Sequence, residues 1–188
     1  MEHLPVIIYT SRNVSREGSR PLAVSCVRSY CSEFDISPGN LELSTTKKGK
    51  PYFPFHSSLG FSISHSETLW VCAVSIGAVG IDVQRQKTLR GNGISQRFFS
   101  CEEQKFAEFH GLNGFFQIWA AKEAYTKYLG LGLSYPFSSF STVKNGSMTA
   151  ELDGCFFSYF SIEPSYSLCL CTSFPNPKIY IRTAPPAD

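Results

Sequence analysis

A carboxylate and an ammonium group stand four residues apart in the segment from Glu123 to Lys127. Residues at this spacing share one face of a helix. One explanation is an exposed ion pair that contributes only about 0.3–0.5 kcal/mol. The other is a pair held at the edge of the core to bind a metal ion and neutralise a phosphate. The apolar neighbours Phe116, Trp119 and Ala120 bury most of the helix and favour this second explanation.

A second acid, Asp82, lies inside the β-rich segment VGIDVQ, residues 79–84. Alternate residues of a strand face opposite sides, so Asp82 and Gln84 share a face that Ile81 and Val83 do not. An ordinary half-exposed strand explains this pattern. A carboxylate and an amide oxygen presented to a hard cation explain it equally well. Mg²⁺ is such a cation, and it takes one or two carboxylates together with phosphates and water.

A third group of polar residues comprises Lys50, in the loop sequence Gly-Lys-Pro, and Ser64 and His65, in FSISHS. A single histidine among serines is usually a turn residue. Together with Lys50, however, these side chains could bind a phosphate through charged and neutral donors. This signal is weak when taken alone.

The elements that must position these residues form two sets. The first set is a strand at 6–9, a helix at 20–31 that starts near Pro21, a strand at 61–63, and a hairpin of 69–76 and 79–83 about Gly77. The second set follows a polar linker at 84–93. It contains a helix with a capping box at Ser100 and Glu103 that ends at Gly111, and a helix at 115–129 closed by Gly130.

Further strands are predicted around Val143 and at 156–160 and 168–172, and the proline-containing tail is expected to be loosely held. Each half of the chain therefore mixes helices with about three strands, which predicts an α/β (α+β) protein.

The composition excludes several functional classes. The formal net charge is +2 over 188 residues, too small for a general nucleic-acid binder. The seven cysteines contain no Cys-x-x-Cys pair, which predicts free thiols in a reducing compartment. The apolar run at 6–9 is too short for a signal sequence or a membrane span. We therefore expect a cytoplasmic protein with neither a nucleic-acid nor a membrane partner.

Five motifs in a fixed order resemble one family. They are Gly-Lys-Pro at 49–51, FSISHS at 61–66, VGIDVQ at 79–84, FFSCEEQ at 98–104 and IWAAKEAYTKYLGLGL at 118–133. Their order and spacing resemble the 4′-phosphopantetheinyl transferases, in particular the surfactin-type (Sfp-like) subgroup. The resemblance implies a pseudo-twofold monomer of two similar halves, here residues 1–84 and 85–188. Coenzyme A would lie in the cleft between the halves.

The resemblance also implies roles for the residues. Asp82 and Glu123, with Gln84 as a candidate third ligand, would hold Mg²⁺ (or Mn²⁺) against the pyrophosphate of coenzyme A. Glu123 would also act as general base on the carrier serine, either directly or through a metal-bound water. Lys127 would stabilise or protonate the leaving phosphate of 3′,5′-ADP. The contacts to the nucleotide end are assigned to Lys50, Ser64, His65 and Arg20, with His65 near the 3′-phosphate.

The partner that the resemblance implies is an acidic acyl or peptidyl carrier protein. Candidate residues for this partner surface follow the metal-binding strand, namely Arg85, Lys87, Arg90, Arg97, Phe98 and Phe99. A solvated linker with buried phenylalanines explains the same residues equally well.

Two departures from the family pattern motivate an alternative function. Many relatives carry an acid where this chain has Gln84, and we expect this chain to lack the basic helix that larger relatives place before the Arg20 equivalent. Lys47 and Lys48 could replace part of the lost phosphate contact. The alternative is a degenerate relative that binds coenzyme A in a regulatory role without transferring its arm.

Overall fold

The computed structural model describes residues 4–88, 93–132 and 135–187. The helices are α1 (Ser19–Glu33), α2 (Gly93–Phe98) and α3 (Cys101–Leu129). The strands are β1 (Val6–Arg12), β2 (Ser44–Thr45), β3 (Pro51–Tyr52), β4 (Leu59–Ser66), β5 (Leu69–Ile76), β6 (Val79–Arg85), β7 (Val143–Lys144), β8 (Ser147–Met148), β9 (Glu151–Leu152), β10 (Cys155–Phe160), β11 (Tyr166–Thr172) and β12 (Ile179–Thr183). The predicted α+β class is confirmed.

The first sheet has the strand order β12-β1-β5-β4, with β12 parallel to β1 and the other neighbours antiparallel. One face packs against α1 through buried side chains that include Tyr30 and Trp70. The prediction of a loose C-terminal tail is wrong. Ile179–Thr183 forms an edge strand because the prolines flank this β-branched segment without interrupting it, and Val6 N–H donates to Lys178 O at 2.8 Å.

The second sheet has the order β6-β11-β10-β9. The predicted hairpin of 69–76 and 79–83 is therefore wrong in its pairing, although both strands exist. Gly77, at φ 93°, turns the chain out of the first sheet, and β6 pairs antiparallel with β11. This pairing lets the apolar side chains of β6 pack between the two sheets, against residues of β1, β5 and β11.

The protein has four layers, in the order α1, first sheet, second sheet and α3. Helix α1 covers the outer face of the first sheet, and α3 covers the outer face of the second sheet. Helix α3 begins at the predicted capping box, with Ser100 as N-cap, and ends at Gly130 in the left-handed conformation. Helix α3 consists of two helical segments, and Gly111, at φ 61° and ψ −142°, breaks the helical geometry between them. The predicted end of the first helix at Gly111 is therefore confirmed.

The pseudo-twofold symmetry and the division at residues 84 and 85 stay predictions. The pairing of strands favours other bounds, since β6 lies in the second sheet and β12 returns to the first. Residues 89–92 of the predicted linker lie outside the described residues. No helix in the described ranges is both long enough and apolar enough to cross a membrane.

Candidate active site between strand β6 and helix α3

Strand β6 and helix α3 approach each other closely at Gly80. A Cβ atom at this position would lie 2.1 Å from Ala124 O and 2.4 Å from Tyr128 N, so any side chain would collide with the helix backbone. Asp82 lies two residues further along and shares the face of Gly80. The glycine thus allows the Asp82 carboxylate to meet the residues of α3.

The Asp82 side chain is buried and accepts three hydrogen bonds from side-chain donors. Ser64 Oγ and Lys127 Nζ each lie 2.7 Å from Asp82 Oδ1, and Gln84 Nε2 lies 2.7 Å from Oδ2. Asp82 is only 2% exposed, so these three contacts replace the water it loses on folding. Asp82 and Gln84 share one face, as the alternation of the strand predicts.

Glu123 is the second acid of the site. Its partial burial and, to a smaller extent, the negative charge of Asp82 raise the pKa of the carboxyl to about 7, while the positive charge of Lys127 opposes this shift. The two carboxylates therefore repel each other across the junction of strand and helix. A carboxyl with a pKa near neutrality is also suited to accept a proton at physiological pH.

These residues fit a hard divalent cation. Asp82 and Glu123 supply two carboxylates, and the Gln84 amide oxygen is a further donor of the type that Mg²⁺ prefers. A cation between the acids would remove their mutual repulsion. Among the described residues no group of three His, Cys, Asp or Glu side chains could hold a metal, because the third candidate ligand here is an amide.

A cavity of about 370 Å³ is lined in part by Lys127, which contacts Asp82. Its basic lining residues are Arg16, Arg20, Lys48, Lys50, His65 and Lys127. Apolar side chains, including those of Phe61 and Trp70, line the same cavity. This combination suits a ligand that carries several phosphates together with an apolar or planar group.

Lys50 connects the cavity to the junction of strand and helix. Its Nζ donates to Val79 O at 3.3 Å and to Tyr128 O at 3.2 Å. Burial lowers its pKa to about 8, so the ammonium form still predominates at pH 7. Lys50 therefore brings a positive charge to the end of α3, beside the cavity.

The structure groups most of the predicted site residues. Arg20, Lys50, His65 and Lys127 line the cavity. Asp82, Gln84 and Glu123 are not among the lining residues, and Lys127 joins the two groups because it lines the cavity and contacts Asp82. The Ser64 hydroxyl is directed to Asp82 and to the Val83 amide.

Sequence reasoning missed Arg16, Ser19 and Trp70 at the cavity. Trp70 Nε1 donates to Ser19 Oγ at 2.9 Å and thereby holds the start of α1 at the cavity wall. The basic character of Arg16, four residues before Arg20 in the sequence, was the available signal. Lys48, suggested as an additional phosphate contact, does line the cavity, whereas Lys47 is not among its lining residues.

The residues suggested for the partner surface are mixed in character. Arg85, Lys87 and Arg97 are exposed, whereas Phe99 is buried in an aromatic cluster. Phe98 is partly buried, and Arg97 stacks over its ring at 5.1 Å. Arg90 and the last motif residue, Leu133, lie outside the described residues.

A basic cavity that Lys127 joins to the carboxylate of Asp82 is the arrangement expected of an enzyme that acts on a phosphorylated substrate. A family model for the 4′-phosphopantetheinyl transferase superfamily matches residues 78–171. A 4′-phosphopantetheinyl transferase of Bacillus subtilis is 32% identical over 153 residues, covering 76% of this chain and 68% of the relative. The transferase Sfp of Bacillus subtilis strain 168 is 30% identical over 161 residues, covering 80% and 71%.

A third relative, the transferase psf-1 of Bacillus pumilus, is 33% identical over 141 residues, which is 70% of this chain and 60% of the relative. The chain belongs to the 4′-phosphopantetheinyl transferase superfamily. The similarity to Sfp and psf-1 supports the surfactin-type subgroup, as the motifs predicted.

Proposed function

We propose that this enzyme transfers the 4′-phosphopantetheine arm of coenzyme A to a serine of an apo acyl or peptidyl carrier protein. The observation that carries the proposal is the position of Lys127, which lines the basic cavity and lies 2.7 Å from Asp82 Oδ1. A polyphosphate in the cavity would thus lie next to the two carboxylates. Family membership supports the same reaction.

The reaction balances as a phosphoryl transfer. The carrier serine oxygen forms a bond to the β-phosphorus of coenzyme A, and the bond from that phosphorus to the bridging oxygen breaks. 3′,5′-ADP leaves with the electron pair, and the serine proton passes to a base. Because such reactions need mainly positioning and charge neutralisation, the protein's work is to align the two substrates and stabilise the charge on the leaving group.

Each site residue receives a role in this proposal. Asp82, Glu123 and Gln84 would hold Mg²⁺, with Mn²⁺ as a substitute, and the bound ion would neutralise charge on the pyrophosphate. Glu123 is the candidate base, since its raised pKa suits proton transfer near pH 7. Lys127 would stabilise the leaving phosphate.

Four further residues are assigned to the nucleotide end of coenzyme A. Arg20, Lys50 and His65 line the cavity and would contact its phosphates. Ser64 was assigned to the same end by family resemblance. Its hydroxyl contacts Asp82, and its contact with the nucleotide stays a prediction.

Incubation with coenzyme A, Mg²⁺ and an apo carrier protein tests the function. We expect the mass of the carrier to increase by the phosphopantetheine group, with release of 3′,5′-ADP, and we expect a chelator to abolish both. Binding of coenzyme A without modification of any of several unrelated carriers would favour the regulatory alternative and contradict transfer.

Three variants test the assigned roles in this assay. Glu123→Gln should lose activity by about 10²–10⁴-fold, the usual contribution of a general base. Gln84→Ala should lose less, because one carboxylate pair remains. Glu108→Gln, at an exposed position on the same helix, is the matched control and should retain full activity.

The acidic character of the carrier, the monomeric state and the cytoplasmic location are also proposed. Arg85, Lys87 and Arg97 are exposed and lie between Asp82 and Glu123 in the sequence. Their positive charges support an acidic partner. In the described chain the cysteines are free thiols, in keeping with a reducing compartment.

A further inference from the structure

Three serines of strand β4 contact the backbone of strand β6. Ile81 N–H donates to Ser62 Oγ at 3.1 Å, Val83 N–H to Ser64 Oγ at 3.3 Å, and Arg85 N–H to Ser66 Oγ at 2.9 Å. We call Ser62, Ser64 and Ser66 the serine ladder. The two strands belong to different sheets, because β4 pairs with β5 and β6 pairs with β11. The serine ladder therefore joins the two sheets through side chains.

The ladder fixes one register between the strands. From one hydrogen bond of the ladder to the next, the serine on β4 and the amide on β6 both move two residues towards the C-terminus. The two strands therefore run parallel where they meet. β6 is the edge strand of its sheet, and its outward N–H groups need acceptors where they are buried. Ser62 and Ser64 meet that need at exposures of 5% and 6%.

Ser64 makes a second contact that bears on the active site. Its Oγ accepts from Val83 N–H and donates its single hydrogen to Asp82 Oδ1 at 2.7 Å. One hydroxyl therefore restrains both the backbone of β6 and the carboxylate that the strand carries. The next residue, His65, lines the cavity, so β4 connects the cavity to the carboxylate.

We propose that Ser64 is a positioning residue for the transfer reaction, which orients the Asp82 carboxylate for a divalent cation and holds it in register with the cavity. This inference rests on the proposed function. Without the hydroxyl, Lys127 and Gln84 still contact Asp82, but the carboxylate loses the one partner supplied by the other sheet. Substitution of a residue that orients a metal ligand in this way typically lowers metal affinity by about 10–100-fold.

Ser64→Ala tests the proposal, with Ser66→Ala as the matched control. Both variants remove one backbone acceptor of the ladder, and only Ser64→Ala removes a partner of Asp82. Binding of Mn²⁺ to the protein with coenzyme A, followed by electron paramagnetic resonance, should weaken by about tenfold in Ser64→Ala and by less than about twofold in Ser66→Ala. In the transfer assay the positioning role predicts a fall in kcat with little change in the KM for coenzyme A. A rise in that KM with unchanged kcat would support the nucleotide contact assigned by resemblance and overturn the positioning role.

Amide hydrogen exchange supplies a readout that needs no cation and no activity. Exchange of the Val83 amide should accelerate in Ser64→Ala, and exchange of the Arg85 amide should accelerate in Ser66→Ala. If Ser64→Ala does not fold, Ser64→Cys replaces it, because a thiol has similar size and is only a weak donor and acceptor. This variant should show the same loss of Mn²⁺ affinity.

The possible outcomes distinguish a failure of the positioning role from a failure of the proposed transfer function. Wild-type protein that binds Mn²⁺ and modifies the carrier, with equal Mn²⁺ affinity in Ser64→Ala and Ser66→Ala, overturns the positioning role and leaves the function intact. Wild-type protein that modifies no carrier overturns the proposed function, and the role of Ser64 in transfer fails with it.

Discussion

Lys127 Nζ lies 2.7 Å from Asp82 Oδ1 and joins helix α3 to strand β6 at the wall of the cavity. The two partners differ in burial, because the Asp82 side chain is 3% exposed and the Lys127 side chain is 27% exposed. The carboxylate therefore belongs to the core, whereas the ammonium group still reaches the cavity. The pair can serve the structure and a bound phosphate at the same time.

Lys127→Gln should reduce transfer strongly, because the variant removes a positive charge next to the expected leaving group. We predict a loss of about 10²–10³-fold in kcat, the size found when one stabilising donor of a developing charge is removed. The measurement is steady-state release of 3′,5′-ADP. Lys105→Gln, at an exposed position of α3, is the control. Similar activity in the two variants would contradict the role of Lys127.

Gly80→Ala should disrupt the contact of strand and helix. The new methyl group would meet backbone atoms at 2.1 Å and 2.4 Å, and backbone cannot move aside as a flexible side chain can. We predict a loss of about 1–3 kcal/mol in the free energy of unfolding, measured by urea titration, together with a loss of activity. Gly93→Ala, where no atom lies within 4 Å, should leave both unchanged.

Glu123→Gln should change how stability depends on pH. The folded state raises the pKa of Glu123 from 4.5 to about 7, so it holds more protons than the unfolded state in this interval. The free energy of unfolding therefore falls as the pH rises from 4.5 to about 7, and this loss of stability is complete above that pH.

In chelator-containing buffer, Glu123→Gln should be more stable than wild type by roughly 1–3 kcal/mol at pH 8, and this advantage should shrink towards pH 5. Urea titration at several pH values measures the difference. A constant difference across the pH range would contradict the raised pKa of Glu123.

Lys122 and Glu103 form a fully buried ion pair whose nitrogen and oxygen lie 2.9 Å apart. Lys122 Nζ also donates to Phe137 O and Phe140 O, and Glu103 accepts from the backbone N–H groups of Ser100 and Thr142. Lys122→Met should cost about 3–5 kcal/mol, because it leaves an uncompensated buried charge.

The double variant Lys122→Met with Glu103→Gln should lose less stability than the sum of its two single changes. The free energy of unfolding from urea titration measures this coupling. Lys87→Met removes the exposed pair with Glu67 and should cost less than about 1 kcal/mol. Additive losses at Lys122 and Glu103 would contradict the coupling.

Local signals predicted the features that depend on neighbouring residues. The capping box of Ser100 and Glu103 and the left-handed Gly130 both occur as predicted, because each depends on a few consecutive residues. The shared face of Asp82 and Gln84 follows from strand alternation in the same way. These features needed no knowledge of distant contacts.

The features that depend on distant contacts were not predictable in this way. The choice of β11 over β5 as the partner of β6 is decided by burial between the two sheets. The contact of Ser64 with Asp82 depends on the same packing, and Arg16 reaches the cavity through the fold of the loop before α1. The alternation of serines in β4 was visible in the sequence. Only the three-dimensional structure shows that their hydroxyl oxygens accept from the backbone N–H groups of β6.

The pairing of β1 with β12 has a consequence for synthesis on the ribosome. Val6 leaves the ribosome long before its parallel partner Ile179, because most of the described residues lie between them in the chain. During that time the growing chain exposes one side of β1, an open strand edge of the kind that pairs with other chains. Completion of the first sheet is therefore a late event, and crowding of nascent chains at this stage favours aggregation.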